Sequence, residues 1–82
     1  MKLLLVEDHQ DIAGIIFDFF ELKGYVLDYA SNGQQGYDLA KENHYDLIIL
    51  DVMLPRMDGY TVCQKLREQG IDTPTLILTA RD

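Results

Sequence analysis

The sequence predicts an α/β domain built on a parallel sheet, and three observations point there. The runs LLLV at 3–6, LIIL at 47–50 and LIL at 76–78 are continuously apolar rather than alternating, as in strands buried on both faces. Segments with helical spacing of apolar residues separate them. Each run also meets a polar residue at or just past its carboxyl end: Glu7, Asp51 and Thr79. The order βαβαβαβ follows, with right-handed crossovers and helices on both sheet faces.

The first strand, LLLV, runs into Glu7-Asp8, and a helix is expected from Asp11 to Lys23. Its apolar stripe reads as Ile12, Ile15, Ile16 and Phe19, turned inward, with Gly24 as the stop. Phe17 and Phe20 fall off that stripe and call for a second neighbour. Tyr25–Ala30 reads as a short strand, and Ser31-Asn32-Gly33 as a turn whose side chains can cap the next helix. That helix, Gln34 to Glu42, carries Gly36 at a cost of about 1 kcal/mol relative to Ala. It rests on Tyr37, Leu39 and Ala40 facing inward. Asp46–Leu50 is the third strand. After the loop through Pro55 and Gly59, residues Val62, Cys63 and Leu66 mark a third helix closed by Gly70. Pro74 precedes the last strand, TLILT.

With 82 residues the chain makes one domain, spanning 1–82. A chain of this size hides only about 60–65 % of its unfolded surface, so the core is thin. Fourteen acidic against seven basic side chains give a net charge of −7, which repels nucleic-acid phosphates and anionic lipid. Direct DNA binding by this segment is therefore not expected. Cys63 is the sole cysteine, which excludes a disulfide framework or a cysteine metal cage and suits a reducing cytoplasm. Apolar runs fall far short of the ~20 residues of a membrane helix.

In open parallel sheets ligands bind at the carboxyl ends of the strands. Glu7, Asp8, Asp51 and Thr79 are remote in sequence, yet the topology brings them to one edge. Two like charges ~4 Å apart repel by about 4 kcal/mol at an effective dielectric of 20, so something must compensate. A raised carboxyl pKa can do this, and a hard divalent cation does it more completely. Oxygen-only donors favour Mg²⁺, which in turn attracts phosphate and leaves Asp51 as a carboxylate nucleophile.

V-E-D at 6–8, L-D-V-M-L-P-R-M-D-G at 50–59 and L-I-L-T-A-R-D at 76–82 closely resemble the receiver domain of two-component response regulators. The resemblance implies a flavodoxin-like (CheY-like) sheet with strand order 2-1-3-4-5. It implies Asp51 as phosphoacceptor, and Glu7, Asp8 and Asp51 with the Met53 backbone carbonyl as the Mg²⁺ site. Thr79 matches the hydroxyl residue that contacts the phosphoryl group, and Ala80 the small residue beside it. The implied partner is a sensor histidine kinase, and the T-A-R-D ending looks most like the OmpR/PhoB type with its transcriptional output domain. The implied role is a regulatory phosphoacceptor, not a turnover enzyme.

A receiver of this kind continues for roughly forty more residues, within ordinary domain sizes. The chain ends before the family's fourth helix, fifth strand and fifth helix, so it corresponds to about two-thirds of the domain. The family's fifth-strand Lys has no counterpart among Lys2, Lys23, Lys41 and Lys65. An alternative reading follows: a phosphorylation-impaired fragment that self-associates through the edge of its fourth strand or the Phe17 and Phe20 side of its first helix.

Plainer readings apply elsewhere. His9 is an exposed helix-start residue rather than a phosphodonor, His44 faces solvent, Cys63 is a core residue, and Arg56 is a solvated charge. Met53 stands where haloacid dehalogenase-like phosphohydrolases need a second acid, and V-E-D-H-Q-D lacks the glycines of a dinucleotide site.

Overall fold

The computed structural model describes residues 1–78; Thr79 to Asp82, and with them the expected roles of Thr79 and Ala80, lie outside the described residues. The elements are β1 Lys2–Val6, α1 Gln10–Leu22, β2 Val26–Ala30, α2 Gly33–Glu42, β3 Leu47–Asp51, α3 Gly59–Glu68 and β4 Thr75–Leu78. The strands form one parallel sheet in the order β2-β1-β3-β4. β1 and β3 are its centre, which is why LLLV and LIIL are continuously apolar: Leu3 to Val6 and Ile48 to Leu50 are all buried.

Alternation along the strands divides the core into two layers. On one face Leu4, Val6, Ile48 and Leu50 pack with Ala40 of α2 and Val62 and Leu66 of α3, joined by partly buried Tyr37, Leu39 and Cys63. The inward residues expected of α2 and α3 are therefore the ones observed. On the other face Leu5 and Ile49 pack against α1. Gly36, expected only to weaken α2, has a packing role: a Cβ there would press into the Val6 side chain, so its absence lets the helix lie close to β1.

The face of α1 differs from expectation. Ala13 is its buried residue, with Ile16 and Phe20 packed beside it, and Phe20 stacks on Tyr25 with centroids 5.8 Å apart. Ile12, Ile15 and Phe19 of the expected inward stripe are exposed, as is Leu22. The reason lies in fit: small Ala13 allows close approach to Leu5 and Ile49, whereas a stripe centred on Ile15 would turn Asp11 and Asp18 toward the core.

At the end of the sheet away from the acidic residues, a polar latch closes the structure. The Lys2 amide donates to Asp46 Oδ2 at 2.8 Å, and the Tyr45 hydroxyl donates to Asp28 Oδ2 at 2.6 Å. Burial first, then the Asp28 hydrogen bond and charge, push the Tyr45 pKa well up.

Candidate functional site

Three segments deliver the site. β1 ends in Glu7, whose amide donates to the Ala30 carbonyl of β2 at 3.1 Å. The chain then turns through Asp8 and His9 into α1, whose N-cap is His9. β3 carries Asp51 at its carboxyl end, one position beyond the Val6–Leu50 pairing with β1. Parallel pairing thus sets Asp51 beside the Glu7-Asp8 turn, and donor atoms of Glu7, Asp8, His9 and Asp51 all lie within 4.8 Å of one another.

Glu7 is 1 % exposed, an unusual place for a carboxylate. Its Oε2 is satisfied locally, accepting from the His9 amide at 3.0 Å and lying 3.0 Å from His9 Nδ1. The Glu7 carbonyl accepts from the Tyr29 hydroxyl at 2.6 Å. Asp8 differs: among the described residues its buried Oδ1 has no hydrogen-bond partner, and His9 Nδ1 stands 3.4 Å away without bonding it.

His9 behaves as the sequence suggests in being an exposed helix-start residue, yet its ring leans over the acid pair. The Glu7 hydrogen bond, then the Asp8 charge and more weakly those of Glu7 and Asp51, raise its pKa. Its position two residues after Glu7, on a turn entering a helix, was the signal for this contact.

The loop from β3 to α3 forms one wall. Asp8, Val52, Met53, Leu54, Pro55 and Asp58 line a cleft of about 460 Å³ beside the carboxylates. Gly59 donates to the Val52 carbonyl at 2.7 Å, and a Cβ there would run into the Asp51 carbonyl oxygen. Gly59 is therefore more than a turn former, since its missing side chain lets α3 start against the backbone of Asp51. Asp58 caps α3, accepting from the Thr61 amide at 2.9 Å and the Thr61 hydroxyl at 2.9 Å; the amide bond above all holds its carboxyl below the usual range. Arg56 sits exposed at the loop's tip with φ 72, a left-handed turn. His44 is exposed in its loop, as expected.

A buried oxygen with no partner among the described residues, set among gathered carboxylates, is an arrangement that a cation can satisfy. The donors are carboxylates plus one exposed imidazole, and that set fits a hard divalent ion such as Mg²⁺.

The family profile described as "Response regulator receiver domain" matches residues 3–82. The chain belongs to the receiver-domain family of response regulators. Against the "Uncharacterized transcriptional regulatory protein YclJ" of Bacillus subtilis it is 42 % identical over 82 residues, covering 100 % of this chain and 36 % of that one. This receiver thus spans about a third of the length of such curated relatives. The receiver domain of the Francisella response regulator 1452 superposes with a TM-score of 0.94 at 38 % identity, covering 99 % of this chain and 67 % of that one. The receiver domain of sensor histidine kinase PA1611 from Pseudomonas aeruginosa superposes with a TM-score of 0.91 at 33 % identity, covering 98 % and 67 %, and its structure has a magnesium ion coordinated in the active-site cleft.

Proposed function

We propose that this receiver is a phosphoacceptor switch: Asp51 takes a phosphoryl group from a sensor histidine kinase, with Mg²⁺ held by Glu7, Asp8, Asp51 and the backbone carbonyl of Met53. The observation that supports it is the convergence of the three carboxylates, with Asp8 Oδ1 buried and unpartnered among the described residues, at the mouth of an open cleft. When bound, the ion would offset carboxylate repulsion and the charge that gathers on a transferring phosphoryl group.

The chain's own residues do the rest. An Asp51 carboxylate oxygen forms the new O–P bond as the phosphorus–nitrogen bond of a phosphohistidine breaks, and the freed imidazole takes up a proton. The open cleft admits the donor, and the wall from Val52 to Pro55 borders the phosphoryl group. Thr79 contacts that group and reports its presence to a transcriptional output domain of the OmpR/PhoB type. Exposed Ile12 and Ile15 lie on the first turns of α1, next to the acid cluster, and suit an apolar surface on the kinase. The receiver regulates and does not turn over a substrate of its own, and it works in the cytoplasm without contacting nucleic acid directly.

Incubation with acetyl phosphate and Mg²⁺ tests this reading. Acid-labile phosphate should appear on the wild type and vanish in Asp51→Asn; full labelling of Asp51→Asn would reject it.

A second reading, self-association through the edge of the described sheet, is favoured by β4. It is an edge strand of the described sheet, apolar along TLIL, with Leu76 52 % exposed. On the first helix, the surface available to a second copy is Ile15, Phe19 and Leu22, not the Phe17 and Phe20 side. Sedimentation should then show dimers or larger species that Leu76→Lys disperses. A monomer at all concentrations contradicts it.

A further inference from the structure

Among the described residues, nothing hydrogen-bonds the Asp8 carboxylate to aim it. Its buried Oδ1 has no partner among those residues, and His9 stands 3.4 Å off on a mostly exposed ring. The direction of its carboxylate must therefore come from the backbone. The sheet ladder fixes that backbone only as far as the Glu7 amide, bonded to Ala30. The next polar group, the Glu7 carbonyl, belongs to the peptide that joins Glu7 to Asp8, and it is held by the Tyr29 hydroxyl at 2.6 Å.

Tyr29 is well placed for this. It pairs with Leu5 in the β1–β2 register, so its ring lies alongside β1 two residues before Glu7 and its hydroxyl reaches the turn. The ring also lines a small cavity of about 200 Å³ with Gln10, Ala13, Gly14 and Phe17, under the start of α1. Burial, then the charges of Glu7 and Asp8, push its pKa up and keep the hydroxyl a donor.

We infer that Tyr29 is a positioning residue of the cation site: its hydroxyl pins the Glu7–Asp8 peptide and so directs the Asp8 carboxylate toward Asp51. This rests on the proposed Mg²⁺ site for its consequence, though not for the hydrogen bond itself. Removing the hydroxyl leaves the ring in place but unties the peptide's carbonyl, leaving the Glu7 and His9 amide bonds on either side to hold it, and a ligand that must be re-ordered binds more weakly.

The test is Tyr29→Phe in the full chain. Calorimetric titration with Mg²⁺ alone should give a dissociation constant raised about three- to ten-fold, the range for one lost hydrogen bond. In the metal-free protein, amide exchange at Asp8 and His9 should quicken relative to the core amides of Leu4 and Leu50, which report global opening. Unchanged affinity together with unchanged Asp8 exchange overturns the inference and leaves Tyr29 as filler. If the wild type binds no Mg²⁺, the site proposal fails, and Asp8 exchange in the metal-free pair alone decides the role of Tyr29. If Tyr29→Phe does not fold, the wild type decides: a Tyr29 hydroxyl proton exchanging much more slowly than that of exposed Tyr60 supports the pin, and equal rates refute it.

Discussion

His9 sets an imidazole against Glu7, Asp8 and Asp51, and the Glu7 hydrogen bond leads in raising its pKa above the ordinary 6.5. The sign of the linkage follows: the protonated ring is favoured in the fold, so its stabilising contribution is full below pH 6.5 and fades as pH rises through the raised folded value. Urea midpoints of the metal-free protein should therefore decline across that window, and His9→Gln should flatten the decline. Gly59 offers a second check on single residues. An Ala Cβ would meet the Asp51 carbonyl and lie 3.0 Å from Val52 Cα, both backbone, so neither can swing away. Gly59→Ala should lose about 1–3 kcal/mol in urea unfolding, and Mg²⁺ affinity with it, because Asp51 must shift to make room. Of the candidate site, the gathering of Glu7, Asp8 and Asp51 was legible because carboxylates at the carboxyl ends of parallel strands meet at one sheet edge. The contact of His9 was signalled only by its place two residues after Glu7 on a turn entering a helix, and that of Tyr29 by nothing, since it depends on a strand register that composition does not encode.

Among elements, α2 tests how local signals make a weak helix. Asn32 accepts from the Gln35 amide at 2.8 Å, satisfying a donor that the first turn leaves open. Asn32→Ala should lower stability by about 1 kcal/mol, read from thermal or urea unfolding, with little change in metal affinity. The turn residues Ser31-Asn32-Gly33 announced this cap in the sequence. α1 was harder to read. Apolar residues occupy 12, 13, 15, 16, 17, 19, 20 and 22, nearly all round the helix, so periodicity alone could not choose a face. The deciding signals were small Ala13 and the acids Asp11 and Asp18, which share the exposed side with Ile15 and Leu22. The strands were read more surely, because a central parallel strand tolerates no polar residue on either face and so leaves an unbroken apolar run.

Across the whole molecule, two thin core layers and a polar latch at the far end hold the sheet whose near end carries the acids. Topology does the essential work: a parallel sheet in the order β2-β1-β3-β4 sets the ends of β1 and β3 side by side, so groups more than forty residues apart share one volume. Strand order itself was foreseen through the family's motifs, not through composition, since several orders satisfy the same apolar pattern. The most direct measurement is a nuclear magnetic resonance titration with Mn²⁺, whose unpaired electrons broaden nearby amides. Broadening confined at first to residues 7–9 and 51–53, and reversed by excess Mg²⁺, is the expected result. Broadening that centres elsewhere, or that Mg²⁺ does not reverse, contradicts a shared ion at the carboxyl edge of the sheet.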